Sequence, residues 1–470
     1  MKLLLVTPYL PWPLDAGGKY AQFTMIDHLR RSHAMTLLCQ TNGSDVDAAD
    51  ELRSKWPDVR LRLVLPAPTS RPQRVTATLF DRVWRLKDRL GRKFPRFLRL
   101  LQKAAYAVGW SGPGSPAGAL VEIPPADPTM AAAIREEMGR TKYDLLQLDF
   151  VQCLNLIKAL PVNVPRIFVH HQIHFVFHER LLGGELTASS RLQRRLRELK
   201  KQEFDLLRQF DAVTTLSEVD ARLLRAELAL TPVYCSPFGI KDSARPTGKA
   251  DDAFDGTILY VGSEHHHPNL DAVDWFLDEV WDEVAAANPR LRFCLVGHWK
   301  KKTQERFARH PRVTCLGYVP DLESLLHTAI LVVPLRIGSG VRTKILQAMM
   351  EGAPVVSTTV GGEGIPAQDG KEFLLRDDPK GFAQAVLMLA GDGVLRRHFT
   401  SHARRLVTER YSLQAAGKIR EWVCRQVVAD WLTLHSHDHA RSPKDAARLQ
   451  METDGHFSTV HPGVPTRRKP

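Results

Sequence analysis

The sequence predicts an α/β protein made of two doubly wound parallel-sheet domains. Short apolar runs recur along the chain, as expected of strands that are buried on both faces. Helical patterns alternate with these runs, and a polar stretch at residues 241–255 divides the series into two. The 470 residues are enough for two or three domains with large cores.

The elements of the first half follow this alternation from the start. Strands are predicted at residues 2–7, 35–40, 61–65, 145–148, 166–170, 212–216 and 233–236, with helices at 18–31 and 192–210. The apolar start is short and runs into a proline-rich segment, so it is interpreted as a first strand and not as a signal peptide. Residues 1–240 therefore form the first domain, interrupted at about 66–140 by a basic helical insertion.

The second half repeats the pattern after the predicted linker, residues 241–255. Strands are predicted at 258–261, 292–296, 313–316, 331–334, 355–358 and 373–375, and helices at 271–284, 322–328, 341–350, 381–390 and 413–434. Residues 256–434 form the second domain with its closing helices. The segment 435–470 is polar and without apolar periodicity, which predicts a disordered tail.

The net charge of +13 is concentrated in one place. Residues 71–103 contain eleven Arg or Lys and two Asp, with leucines and aromatic residues between them. This pattern fits an interfacial helix on an anionic membrane, and it fits equally a solvated basic helix packed on its own domain. Nucleic acid is not expected as a partner, because no binding module or stacking motif accompanies the charge.

Cysteine usage and hydropathy indicate the cellular compartment that is expected for the protein. The six cysteines lack CxxC spacing and mostly lie in apolar contexts, which indicates reduced core thiols in a cytoplasmic protein. No apolar run approaches the roughly 20 residues that a bilayer span requires. No metal site is predicted.

The stretch from residue 334 to 357 carries the strongest chemical pattern. A buried strand is followed by Gly338-Ser339-Gly340 and then by a helix that Gly352 is expected to cap at its C-terminal end. A glycine turn that leads into a helix N-terminus can bind an anion, and Arg342 and Lys344 add positive charge there. Taken alone, the pattern is more often a structural turn with two solvated cations.

A second glycine turn lies near the start of the chain. Gly17 and Gly18 open the first helix after the first strand, so their amides lie at the strand's carboxyl edge, where open α/β sheets bind ligands. The turn is not a GxGxxG fingerprint, and the chain contains no P-loop pattern.

Several motifs in order resemble family-4 (group 1) glycosyltransferases of the GT-B fold. They comprise Val261-Gly262, Pro268-Asn269, Val296-Gly297, Gly317-Tyr318-Val319, Pro334-Leu335, the stretch around Gly338–Gly340, and Gly361-Gly362-Glu363-Gly364. The resemblance is strong over residues 256–380. In the first half it rests on the opening strand, Gly17-Gly18 and residues 168–174.

The resemblance implies two Rossmann-like domains that face a cleft. A nucleotide diphosphate sugar would bind the second domain as co-substrate, without a cofactor or metal, and the transfer would retain the anomeric configuration. Arg342 and Lys344 would stabilise the leaving diphosphate, and His171 would contact a hydroxyl of the sugar. The remaining donor-binding residues carried over from the family are Gly17, Gly18, Gly262, Tyr318, Gly338, Ser339, Gly340, Gln347 and Glu363.

The chain departs from the family pattern at two positions. Relatives carry two glutamates with seven residues between them, and the matching positions are Ser339 and Gln347. A neutral amide is a weaker acceptor than a carboxylate. Two functions therefore stay open, an active glycosyltransferase with a saccharide or lipid-linked acceptor in cell-surface polysaccharide or glycolipid synthesis, or an inactive nucleotide-sugar-binding subunit. The expected location is the cytoplasm, with peripheral attachment to the membrane through residues 71–103 as an option.

Overall fold

The computed structural model describes residues 1–41, 43, 45–66, 122–183, 186, 189–243 and 253–435. The basic segment 71–103, most of the expected linker, and residues 436–470 of the expected disordered tail lie outside the described residues. Within the described ranges, no helix combines the length and the apolar character that crossing a bilayer requires.

The first domain is built on a sheet of seven parallel strands in the described part of the chain, ordered β3-β2-β1-β4-β5-β6-β7. The strands are β1 Lys2–Thr7, β2 Ala34–Gln40, β3 Val59–Val64, β4 Leu145–Asp149, β5 Arg166–His170, β6 Ala212–Thr215 and β7 Val233–Cys235. Val6 of β1 pairs with Leu38 on one side and Leu148 on the other. The strand order reverses between β1 and β4, which opens a crevice at their carboxyl ends.

The second domain repeats this arrangement with six parallel strands among the described residues, ordered β10-β9-β8-β11-β12-β13. The strands are β8 Thr257–Val261, β9 Arg292–Val296, β10 Val313–Gly317, β11 Ala329–Val333, β12 Val355–Ser357 and β13 Leu374–Leu375. All five residues of β11 are buried, as the uninterrupted apolar run predicts. The prediction of two parallel-sheet α/β domains is confirmed.

Helices cover both faces of each sheet. In the first domain they are Gly17–Leu29, Val46–Lys55, Pro128–Arg140, the 3-10 helix Val151–Ala159, His174–Leu182, Ser190–Leu207 and Glu218–Glu227. In the second they are His267–Phe276, a π-helical turn Leu277–Trp281, Asp282–Ala287, Lys301–Phe307, Leu322–His327, Thr343–Glu351, Thr359–Gly362, Pro379–Gly391, Gly393–Tyr411 and Leu413–Leu434.

The helix Pro128–Arg140 differs from the predicted insertion, which was expected to run to residue 140. Asp127 caps this helix by accepting hydrogen bonds from the backbone N–H groups of Thr129 and Met130. Met130 and Ile134 are buried in the core of the first domain. The helix is therefore part of the sheet domain, and any insertion ends before it.

The closing helix Leu413–Leu434 also differs from its predicted place in the second domain. Its residues Val423 and Cys424 belong to the apolar core that lies beneath β1 and β2 of the first sheet. The helix packs along Gly17–Leu29, so the end of the described chain crosses back to the first domain. The helix Gly393–Tyr411, which was not predicted, leads to this crossing.

The cysteines occupy the positions expected of core thiols. All six are free, and Cys39, Cys153, Cys294 and Cys424 are buried. Burial raises the pKa of the Cys153 thiol, so this side chain stays protonated at neutral pH.

Candidate functional site

The two domains meet where the carboxyl ends of their central strands face each other. The loops after β1, β4 and β5 approach from the first domain, and the loops after β8 and β11 approach from the second. These loops and the first residues of the helices that follow them contain most of the predicted site residues. Open parallel sheets bind ligands at this edge.

The loop Gly338–Gly340 follows β11 and lies directly against the first domain. Gly338 and Gly340 have φ values of +131° and +81°, which favour glycine. A Cβ atom added to Gly340 would lie 2.9 Å from the backbone oxygen of His171, so the contact between the domains requires glycine here. Among the described residues, the backbone N–H groups of residues 339–341 donate no hydrogen bond, and the buried Ser339 hydroxyl has no partner. These donors are available to an anion.

Two helix N-termini, one from each domain, meet beside this loop. The helix Thr343–Glu351 begins at Arg342 and the helix Gly17–Leu29 begins at Ala16, and neither N-cap residue makes a side-chain capping bond. Thr343 Oγ1 lies 3.5 Å from the backbone oxygen of Gly17. Each helix N-terminus carries about half a positive charge, so their approach is best stabilised by an anion between them.

Lys344 and Arg342 supply two cations at the same place. Within the described part of the chain neither forms an ion pair with a carboxylate. Lys344 Nζ lies 3.3 Å from Asn269 Oδ1 and 4.4 Å from the centre of the Tyr260 ring. Burial, and secondarily the charge of Arg342, lowers the pKa of Lys344 to about 7.

Arg342 is held by backbone oxygens. Its guanidinium donates to the oxygens of Ser339 and, at 3.5 Å, Val360, while its buried Nε has no partner among the described residues. Burial lowers the pKa of Arg342 to about 10, and Glu363 opposes that shift. Within the described ranges both side chains therefore lack the counter-charge that a buried cation needs.

A small network in the second domain positions Lys344. Tyr260 donates a hydrogen bond of 2.8 Å to Asn269 Oδ1, and Asn269 Nδ2 donates to the oxygen of Ser263. Gly262 lies against the Asn269 amide, where an added Cβ atom would approach to 2.8 Å. The predicted residue Gly262 therefore shapes the loop that supports Lys344.

His171 lies after β5 and stacks on Phe150, with ring centroids 3.8 Å apart. Its Nε2 is 3.4 Å from Asp149 Oδ2, and Asp149 also accepts hydrogen bonds from the side chains of Gln22 and Gln147. Burial lowers the pKa of His171, although the bond to Asp149 opposes the shift, so the ring is neutral at pH 7. An Nε2–H tautomer satisfies Asp149 and leaves the buried Nδ1, which has no partner in the described structure, as an acceptor.

The neighbouring histidines have a different environment. His170 Nε2 lies 2.7 Å from Glu203 Oε1, and the Glu203 carboxylate also accepts from the backbone N–H groups of His174 and Phe175. His170 is thus part of the buried support of the loop after β5. Among the described residues, no three His, Cys, Asp or Glu side chains come together as a set of metal ligands. The expectation that no metal is used stays a prediction.

Three further predicted site residues have contacts of their own. Gln347 lies near the Tyr20 hydroxyl of the first domain, where its side chain opposes the rise that burial causes in the pKa of Tyr20. Glu363 forms an ion pair with Arg180. Tyr318 follows β10 and is 65% exposed. The donor-binding roles of these three residues therefore stay predictions.

Sequence reasoning missed Asp149 and Arg180. Asp149 ends β4 at the edge where the strand order reverses, so the rule that ligands bind there provided a signal. Arg180 lies on the helix His174–Leu182, and nothing in the local sequence distinguishes it from a surface cation.

The second domain matches a known family. Residues 255–392 match the family described as glycosyl transferases group 1. The chain is also 25% identical over 145 residues to an "Uncharacterized 44.6 kDa protein in cps region" of Klebsiella pneumoniae. That alignment covers 29% of this chain and spans 37% of the relative's length.

Solved structures share the whole two-domain arrangement. Sucrose-phosphate synthase from Thermosynechococcus elongatus has a TM-score of 0.62 at 15% identity, over 92% of this chain and all of that chain (100%). Anabaena Alr3699/HepE in complex with UDP and glucose has a TM-score of 0.56 at 15% identity, over 89% of this chain and 98% of that chain. A mutant of S. aureus TarM in complex with Fondaparinux, alpha-GlcNAc-glycerol and UDP has a TM-score of 0.58 at 12% identity, over 90% of this chain and 100% of that chain.

These structural similarities show that the chain has the GT-B fold. Together with the group 1 match in the second domain, they support a glycosyltransferase of the GT-B kind.

Proposed function

We propose that this protein transfers a sugar from a nucleotide diphosphate sugar to a saccharide or lipid-linked acceptor. The transfer retains the anomeric configuration and uses no divalent metal ion. One observation carries the proposal. Two helix N-termini, one from each domain, meet at the domain boundary beside Arg342 and Lys344, two cations that have no carboxylate partner among the described residues. A diphosphate matches that charge and size, and the complexes of similar folds with UDP support the same ligand class.

The chemistry follows from where negative charge develops. The bond between the anomeric carbon and the diphosphate oxygen breaks, and a bond from that carbon to the acceptor oxygen forms. The acceptor hydroxyl proton passes to the departing diphosphate. Retention of configuration requires that the acceptor and the diphosphate lie on the same face of the sugar ring. Lys344, Arg342 and the free amides of residues 339–341 stabilise the leaving group in place of a metal ion.

His171 acts on the sugar in this proposal. With Nε2–H donated to Asp149, its Nδ1 accepts a hydrogen bond from a sugar hydroxyl. The ring thus orients the donor and needs no proton transfer. Gly17 and Gly18 contribute amides from the other side of the diphosphate, and Tyr318 borders the nucleobase. Glu363 is connected through Arg180 to the donor loop, residues 338–340.

A panel of nucleotide sugars tests the function. Thermal stabilisation in the presence of EDTA identifies the donor, and release of the nucleoside diphosphate with and without candidate saccharide acceptors measures turnover. The NMR coupling of the new anomeric proton reports whether configuration is retained. Binding of no nucleotide sugar would defeat the proposal.

A second candidate function rests on Ser339 and Gln347. The amide of Gln347 lies near Tyr20 of the first domain, and no carboxylate stands at either position of the family's glutamate pair. A nucleotide-sugar-binding subunit without turnover would fit these residues. Donor binding together with a complete absence of hydrolysis or transfer would favour this function over the enzyme.

Donor affinity should depend on pH through Lys344. Its pKa is about 7 in the free protein, and a bound diphosphate raises it by favouring the charged amine. Below pH 7 the amine is already charged, so affinity is flat. Above pH 7 binding takes up a proton, and affinity should fall by up to about tenfold per pH unit. Calorimetric titration between pH 6 and 9 in two buffers measures both effects; an affinity that rises with pH would contradict the assignment.

We also propose a cytoplasmic setting with peripheral attachment to an anionic membrane through residues 71–103. The support is the excess of Arg and Lys among leucines and aromatic residues in that segment. Deleting these residues should abolish co-flotation with vesicles that contain anionic phospholipid and leave donor binding in place. Unchanged flotation of the deletion variant would end this part of the proposal.

A further inference from the structure

Arg180 joins the two domains at the edge of the candidate site. It lies on the helix His174–Leu182 of the first domain and pairs with the carboxylate of Glu363 in the second, where Nη2 donates to Oε1 at 2.6 Å. Its Nη1 also donates to the backbone oxygen of Gly338 at 2.6 Å. One side chain thus holds the donor loop and a carboxylate that lies 25 residues farther along the chain.

The bond to Gly338 fixes the direction of a peptide plane. In a trans peptide the carbonyl oxygen of one residue and the N–H of the next point in opposite directions. Because Arg180 holds the Gly338 oxygen, the Ser339 N–H is turned away from Arg180. Gly338 has a φ of +131°, which favours glycine, and because a glycine backbone has many accessible conformations the contact with Arg180 helps to select this one. The orientation of the first free amide of the loop therefore depends on a residue of the other domain.

The pairing also settles the charge around Arg342. Glu363 is close enough to Arg342 to influence its pKa, yet its carboxylate is bound by the fork of Arg180. Arg180 thereby neutralises the carboxylate that most affects the pKa of Arg342 and leaves the positive charge of Arg342 for an anion. Arginine and carboxylate paired at two nitrogens form a strong and directional contact.

We infer that Arg180 is a positioning residue that couples closure of the two domains to the shape and charge of the diphosphate site. The inference rests on the proposed function, since it assigns Arg180 to the donor site. The inference assigns Arg180 no contact with the substrate. It acts through Gly338 and Glu363, so that the anion-binding loop is complete only when the domains are in contact.

Four variants separate this role from a general loss of stability. Arg180→Ala removes both contacts, and Arg180→Lys keeps the charge but not the fork. The exchange Arg180→Glu with Glu363→Arg restores an ion pair between the domains, whereas a glutamate at 180 cannot donate to the Gly338 oxygen. Arg225→Ala is the matched control, because Arg225 binds both Glu218 and the backbone oxygen of Val233 within the first domain.

The measurements are donor KM, kcat and the radius of gyration of the free protein by small-angle scattering. Arg180→Ala should raise donor KM about tenfold, change kcat by less than about threefold and increase the radius of gyration. Arg180→Lys should raise KM with little change in compactness. The charge exchange should restore compactness and leave KM raised, and Arg225→Ala should match the wild type in all three quantities.

The outcomes distinguish the inference from the proposed function. A wild-type protein that binds no nucleotide sugar would defeat the proposed function. A wild-type protein that binds donor, together with an Arg180→Ala variant of unchanged KM and compactness, would overturn the inference alone. Full recovery of KM in the charge exchange would also overturn it, because the bond to Gly338 would then be irrelevant.

Discussion

Replacing Lys344 with alanine should weaken binding of the nucleotide sugar about 100-fold, or roughly 3 kcal/mol. Lys344 has no carboxylate partner among the described residues, so its charge is not neutralised within the protein and is available to the diphosphate. Its removal leaves the ligand's charge facing a half-buried surface. Calorimetric titration of the donor measures the loss directly.

Arg336→Ala is the matched control for this experiment. Arg336 lies on the same segment, but its guanidinium is paired with Asp271, with Nη2 2.6 Å from Oδ1. Its loss should change donor affinity by less than about threefold, since an exposed ion pair contributes little. Equal effects of the two substitutions would show that Lys344 provides only general positive charge.

Gly340→Ala should lower donor affinity by about 30-fold or more. The new Cβ would lie 2.9 Å from the His171 oxygen, so the loop and the first domain must move apart. The left-handed backbone at φ +81° adds strain of about 1 kcal/mol. Thermal unfolding and donor titration should both show the loss.

Gly352→Ala provides the control with the same backbone strain. Gly352 also has a φ of +81°, but an added Cβ would have no neighbour within 4 Å. This variant should lose about 1 kcal/mol of unfolding free energy and keep its donor affinity. A Gly340→Ala variant with normal affinity would mean that the contact between the loop and His171 does not shape the site.

Much of the fold could be predicted from residue patterns. Strands buried on both faces give uninterrupted apolar runs, and β1, β5 and β9 begin and end at the predicted residues. Gly352 caps its helix in the left-handed conformation, as expected from its place after the periodic residues. These features depend on local sequence alone.

Packing between distant segments could not be predicted in the same way. The closing helix Leu413–Leu434 has an apolar face, but nothing in its sequence says that Val423 packs beneath the first sheet. The helix Gly393–Tyr411 was missed because arginines and histidines obscure its few buried positions, such as Phe399 and Val407.

In the candidate site too, local sequence predicts some residues and only the folded chain identifies the others. Lys344, Arg342 and the glycine loop could be predicted as candidates because a glycine turn before a helix has a local pattern. Arg180 and Asp149 act through partners more than 20 residues away, so only the folded chain identifies them. The meeting of Gly17 with Thr343 is likewise a property of the domain arrangement.

The central claim is that a diphosphate binds between the two helix N-termini and the two cations without a metal ion. Calorimetric titration of nucleoside diphosphates in excess EDTA tests it most directly. We expect at least one base to give saturable binding that Mg²⁺ does not strengthen and that Lys344→Ala sharply weakens. Binding that requires Mg²⁺, or that survives unchanged in Lys344→Ala, would contradict the claim.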